Sequence, residues 1–218
     1  LGEVNVHGNA IGLGIDDNNE AVNAHGNMND GIVVDSSYSE FADLSIGGDG
    51  NSEVNSIGAN GNNGITISDA GSGTVSADIT IEHNNIGVGD DGFSNAANGG
   101  DNIKIADGDT IDIISNIIAN ATGHGVLAEG GKNWSIKGNN IGLIKDPDGL
   151  YDDIIAAGNG GNGIYFNQVT DPAATGIEGL KIGGSLASEM NVVVASGGAG
   201  IAIDEVNDAL TPIMIMSN

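Results

Sequence analysis

The sequence predicts an all-β solenoid, a parallel β-helix of about six coils with three short strands each, and three observations carry that reading. An x-Gly-Ile-x-Ile signature recurs along the whole chain at intervals of 33, 38, 23, 38 and 37 residues. An Asn-x-Ile or Asn-x-Val phrase recurs in the same register. Aromatic residues make up only 3% of the chain while 38 of its 218 residues are Gly, so a core must be layered from small aliphatics, which favours stacked strands over a helical bundle. The length suffices for one large domain with a substantial core, and residues 1–218 read as a single β-helix segment.

The first strand of each coil is read at DGIVV from Asp30, NGITI from Asn63, DNIKI from Asp101, HGVLA from His124, NGIYF from Asn162 and AGIAI from Ala199. Its alternation predicts an inward column of Ile32, Ile65, Ile103, Val126, Ile164 and Ile201. A second inward column holds Val34, Ile67, Ile105, Ala128, Phe166 and Ile203. Val33, Thr66, Lys104, Leu127, Tyr165 and Ala202 should point outward between them, a column with no carboxylate.

The second strand follows as LSI at Leu44, ITI at Ile79, IDI at Ile111, WSI at Trp134, LKI at Leu180 and IMI at Ile213. Trp134 therefore reads as a large member of a core column rather than a sugar-stacking platform. The third element places Asn9, Asn55, Asn84, Asn116, Asn139 and Asn191 two residues ahead of an Ile or Val. These six Asn are expected to form a ladder, each amide bonding the next coil at a turn that tolerates left-handed backbone.

Such a coil cannot bury its own apolar face, and stacking at about 4.8 Å per rung buries it. No stretch between strands holds a 3.6-residue apolar period of helix length, which argues against an α/β fold. The in-register spacing argues against the meanders of a β-sandwich.

Charge narrows the function. Five Lys face thirty Asp and Glu, with no Arg, for a net charge of −25. That field repels phosphate backbones and anionic lipid, which excludes nucleic-acid partners and membrane-surface binding, and makes cations the natural counterparts. No apolar run approaches the roughly 18 residues of a membrane span, so membrane insertion is not expected. Without Cys there is no disulfide framework, thiolate nucleophile or zinc-thiolate site.

The Asn ladder, the three strands per coil and the phrases IGGDGNSEVNSIGANGNNGI from Ile46 and IGGSLASEMNVVVASGGAGI from Ile182 resemble the right-handed parallel β-helix proteins of the pectin-lyase-like superfamily. More narrowly the chain is similar to Asn/Gly-rich repeats of secreted or surface-anchored microbial proteins. The resemblance implies a right-handed solenoid and an extracellular or cell-surface location. It leaves function open, because that superfamily hosts lyases, hydrolases, epimerases, tailspikes and adhesins.

The chemistry that the resemblance implies for its enzymes is mostly missing. Pectate lyases typically use an Arg base, and this chain has none. Of the polygalacturonan hydrolase motifs, Gly123-His124-Gly125 and Asp90-Asp91 have counterparts, whereas Asn-Thr-Asp and Arg-Ile-Lys do not. His124 fills the turn slot held by Asp30, Asn63, Asn162 and Ala199 in other coils. Asp-Asp recurs at Asp16-Asp17, Asp90-Asp91 and Asp152-Asp153, and a loop pair says nothing of two carboxyls about 6.5–9.5 Å apart across one sugar. Asp146-Pro147 and Asp171-Pro172 lack the following His of an epimerase. His7, His25 and His83 show no metal-triad spacing. No catalytic residue is assigned.

Long excursions follow Ile11, Ile86 and Ile141, while the alternate coils cross the same gap in six or seven residues. These loops should emerge on one edge of alternate coils, about 10 Å apart. Their carboxylates, Asp16 and Asp17, Asp90 and Asp91, Asp146 and Asp148 with Asp152 and Asp153, are the candidate metal ligands. Calcium is the implied ion, since it takes 6 to 8 oxygens and these loops are dense in Asp, Asn and Gly carbonyls. Solvated acidic turns are the competing reading.

The final LTPIMIMSN enters a second strand, and VNVHGNAIG starts inside a coil. With Leu1 in place of an initiator Met, a piece of a longer solenoid is expected. Its partners are then neighbouring segments of that chain, or other copies stacked end to end. The leading expectation is a non-catalytic stalk, adhesin or matrix element. The alternative is a polysaccharide-acting enzyme or a carbohydrate-binding part of one. Ice binding would need flat Thr ranks, and only Thr66 stands in the first outward column.

Overall fold

The computed structural model describes residues 2–15, 21–22, 25–35, 41–50, 52–69, 77–145, 154–167, 177–205 and 213–217. Three parallel sheets of seven, six and six strands wind around one core, with about six coils in succession. The first sheet holds Ile32–Asp35, Ile65–Asp69, Ile103–Ile105, Val126–Ala128, Ile164–Asn167 and Ile201–Glu205. The second holds Gly2–Val6, Phe41–Gly47, Asp78–Glu82, Thr110–Ile114, Lys132–Lys137, Glu178–Ile182 and Met214–Ile215. Two-residue strands make the third: Ala10–Ile11, Ser56–Ile57, Asn85–Ile86, Ile117–Ile118, Asn140–Ile141 and Val192–Val193. The chain is a parallel β-helix.

The register matches the periodicity of the sequence. Ile32, Ile65, Ile103, Val126, Ile164 and Ile201 pair in one row through successive strands. Leu44, Ile79, Ile111, Trp134 and Leu180 form another. Ile57, Ile86, Ile118 and Ile141 close the third wall of the core. Most interior aliphatics are Ile, whose β-branch suits a pleated surface with like neighbours about 4.8 Å above and below. Trp134 is buried in this column, edge-on to Phe166 with ring centroids 5.3 Å apart and planes at 82°.

Leu127 departs from the expected pattern. It lies in the outward column of the first sheet yet is buried, flanked in register by the longer side chains of Lys104 and Tyr165. Val33, whose one described neighbour is Thr66, is exposed as the alternation requires.

The excursions on alternate coils are antiparallel hairpins. Gly14–Ile15 pairs with Ala21–Val22, Val88 bridges Asn95, and Leu143–Lys145 pairs with Ile154–Ala156. Each begins at a Gly in left-handed backbone directly after the third strand, Gly12, Gly87 and Gly142, with φ of 77°, 77° and 80°. A Cβ there would fall 2.2, 1.8 and 1.9 Å from the carbonyl oxygens of Gly58, Ala119 and Val194 in the neighbouring coil. Only Gly fits that approach. Coils without a hairpin take their left-handed residue one position later, at Ala59, Asn120 and Ala195.

Candidate functional site

The polar groups of the coils are organised as three side-chain ladders running through the stack. The expected ladder is present. Asn9, Asn55, Asn84, Asn116 and Asn139 each donate a side-chain N–H to the Oδ1 of the next Asn, over 2.9–3.1 Å, ending at Asn191. The same Oδ1 also accepts the backbone N–H of Asn9, Asn84, Asn116 and Asn139 in the preceding rung. The second amide proton reaches back to a carbonyl of the coil before, as from Asn84 to Ile46 and from Asn116 to Ile81, both at 2.9 Å. The left-handed backbone expected at these turns is present at four of them, ahead of the Asn itself. It falls one residue earlier, on Gly8, His83, Ser115 and Gly138, which turns the chain so that the amide faces inward.

A second ladder lies at the turn into the first strand, four residues ahead of each Gly-Ile Gly. Asn27 donates to Asn60 and Asn60 to Asn98, both at 2.9 Å, and Asn98 and Asn159 are also buried there. Ala121 occupies this position in the intervening coil. Asn102, standing where the other coils have Gly, supplies the missing amide: it accepts from Asn98 at 2.8 Å and donates to Asn159 at 3.1 Å. A Cβ on the equivalent Gly31, Gly64 or Gly125 would lie 2.7–2.9 Å from the ladder amide of the next coil. Ala121 leaves that space open, and Asn102 fills it.

The third ladder explains the Gly-His-Gly match. Asp30 accepts the N–H of Asn63, Asn63 that of Asp101, Asp101 that of His124, His124 that of Asn162, and Asn162 that of Ala199, over 2.6–2.9 Å. The acceptor on His124 is Nδ1, so the ring carries its proton on Nε2. The imidazole also packs on Tyr165, ring centroids 5.0 Å apart. Tyr165 donates to Asp204 at 2.7 Å, a bond that holds the phenol above its ordinary value.

Of the candidate metal ligands, Asp16, Asp17, Asp146, Asp148, Asp152 and Asp153 lie outside the described residues. Asp90 and Asp91 stand at the tip of the Val88–Asn95 hairpin, both exposed. Asp90 accepts the hydroxyl of Ser56 from the preceding coil at 2.8 Å. Asp91 accepts the backbone N–H groups of Phe93 and Ser94 and the Ser94 hydroxyl, an Asx-type cap on its own turn. Partial desolvation pushes its pKa up, but the combined bonds from Ser94 and Phe93 outweigh that and leave it below the ordinary value of 3.8. The two carboxylates thus serve different partners. No three acidic or imidazole groups converge as a metal cluster among the described residues.

An open groove of about 730 Å³ crosses the outer face of the second sheet. Its floor carries Asp112, Ser135, Lys181 and Met214 in one register line across four strands. One wall is Glu189, which meets Lys137 at 3.7 Å. The N–H of Leu186 is the main cause holding that carboxyl below its usual value, ahead of an opposing desolvation and a lesser pull from Lys137. The sequence reading missed this groove, because it pairs residues 23–52 apart in the chain that share only an outward register.

Comparison with protein-family models, curated proteins and solved structures returns no match.

Proposed function

We propose that this chain is a non-catalytic structural or adhesive β-helix, a rigid element of a stalk, matrix or filament at the cell surface or outside the cell. The observation that carries this reading is the trio of ladders, which ties successive coils together along the helix axis, one ladder at the turn before the third strand and two at the turn into the first. Residues with a catalytic look have structural work within it: His124 is a rung, and Asp91 caps its own hairpin. The surface placement rests on the likeness to Asn/Gly-rich β-helix repeats of secreted or surface-anchored microbial proteins, carried by the three strands per coil, the Asn ladder and the phrases from Ile46 and Ile182. At the ends of the described coils the apolar side chains Val4, Ile213 and Ile215 are exposed. Those faces favour another copy of this chain, stacked coil on coil, as a partner.

Electron microscopy with small-angle scattering tests the scaffold reading: six coils at about 4.8 Å per rung span only about 30 Å, so stiff rods built from many stacked copies are expected, and a particle that stays the size of one copy overturns the filament form. Calcium, held in the hairpin loops, would further rigidify it. Calorimetry on chelator-treated protein should register heat as calcium rises to millimolar levels, and a flat trace overturns the calcium component alone.

The groove on the second sheet favours a second reading, a carbohydrate-binding part of a polysaccharide-acting protein. Lys137 and Lys181 offset Asp112 and Glu189 there, so this patch escapes the anion-repelling field of the rest. Retention of the protein on a panel of polysaccharides, lost in Asp112→Ala and Lys181→Ala, supports that reading. Product release from any of them replaces the non-catalytic one.

A further inference from the structure

The chain contains five Asn-Gly dipeptides, at Asn60, Asn63, Asn98, Asn159 and Asn162, and every one of these Asn belongs to the second or third ladder. Asn-Gly is the sequence most open to spontaneous deamidation, because Gly leaves its own nitrogen unhindered. That nitrogen attacks the Asn side-chain carbonyl carbon, the carbon–Nδ2 bond breaks and ammonia leaves with the amide proton. Water then opens the cyclic imide to Asp or isoaspartate, so one water is consumed for each ammonia released.

The fold blocks both reactants. The attacking N–H groups of Gly61, Gly64, Gly99, Gly160 and Gly163 are each bonded to a carbonyl of an adjacent coil, at 2.8–3.0 Å. The side chains of Asn60, Asn63, Asn98 and Asn159 are buried, with those of Asn60, Asn98 and Asn159 bonded across coils. Gly is held in place by packing, since a Cβ on Gly61, Gly99 or Gly160 would come 2.3 Å from a carbonyl oxygen of the preceding coil. The ladder requires Asn and the close coil approach requires Gly, so the reactive dipeptide comes with the architecture.

We propose that Asn60, Asn98 and Asn159 are latent deamidation sites, locked while the coils are stacked and modified on unfolding, so that unfolding becomes chemically one-way. The product matters differently in the two ladders. In the second, a carboxylate loses the amide donor and buries charge against acceptors. In the third, Asp30 and Asp101 already hold the same role as Asn63 and Asn162, so Asp is compatible there. The inference goes beyond the scaffold reading and stands without it.

Peptide mapping by mass spectrometry, on folded and urea-unfolded protein held in mildly alkaline buffer, tests the lock. Modification at Asn60, Asn98 and Asn159 should be slower in the folded protein by roughly a hundredfold or more, since it is confined to the open state. Equal rates in the two states overturn the proposal. Asn98→Asp and Asn162→Asp separate the consequence from the chemistry. Asn162→Asp should refold with an unchanged melting temperature while Asn98→Asp does not recover the native fold. Asn98→Asp melting like the parent also overturns it.

Discussion

Asn116 illustrates how much one side chain carries in this architecture. It accepts two bonds from Asn84 and donates to Asn139 and to the carbonyl of Ile81, all while fully buried. Asn116→Ala leaves several of those groups without water or partner, and each buried orphan costs about 1–3 kcal/mol. We expect a loss of roughly 3 kcal/mol or more in urea unfolding. Asn102 and Ala121 make a different prediction, because each tolerates its residue only through the other. Asn102→Gly breaks the relay between Asn98 and Asn159, and Ala121→Asn brings a second amide into the space that Asn102 fills. Both single changes should destabilise. The double change restores the pattern of the other coils, with a coupling energy of about 1–3 kcal/mol in a double-mutant cycle.

At the scale of elements, the hairpins are set by one Gly each. In Gly87→Ala the new Cβ meets the Ala119 carbonyl at 1.8 Å, whereas at Gly92, with similar backbone, nothing lies within 3.4 Å. Gly92→Ala then carries only the strain of left-handed backbone, about 1 kcal/mol. Gly87→Ala should lower the melting temperature several times as much. The hairpins also hold one another: Val88 and Phe93 of one pack with Ile144 and Ala157 of the next through Ala119 and Ile117 of the coil between.

The tip of the Val88–Asn95 hairpin should respond to acid. Asp91 has a folded pKa below its ordinary 3.8, so its contribution is fully present above that value. It is lost as pH falls through the lower folded one. Amide exchange at Phe93 and Ser94 should quicken over that window, and Asp91→Asn should remove the pH dependence. Because the carboxylate is exposed, the effect stays local.

For the whole molecule, a net charge of −25 is wound onto a stack whose described ion pairs between Lys and carboxylates are Lys104–Glu129 and Lys137–Glu189. Carboxylates of successive coils stand side by side where Glu3, Asp43 and Asp78 pair in register on the second sheet. Their repulsion is screened by salt. Scanning calorimetry should therefore find a melting temperature that rises with sodium chloride. A calcium-dependent rise beyond that of matched ionic strength would point to bound ions rather than screening.

The sequence by itself determined the repeat. Strand positions, inward columns, the Asn84-type ladder and the alternation of long loops were all legible, because a solenoid repeats one local solution and the 2-residue period marks its faces. Trp134 reads as core and His124 as a turn residue for the same reason, since register outranks residue type, and the structure buries the one and makes the other a rung. Features that depend on the distance between coils were not legible. The second ladder is broken in sequence at Ala121 and mended in space by Asn102, a substitution visible only once their coils lie side by side. The Asp112–Lys181 groove likewise joins residues tens of positions apart, while the antiparallel hairpins and the left-handed residue one step before four of the ladder Asn are local turns that the Gly-Ile periodicity does not mark. A repeat encodes its own coil, and the packing of one coil against the next decides what its side chains finally meet.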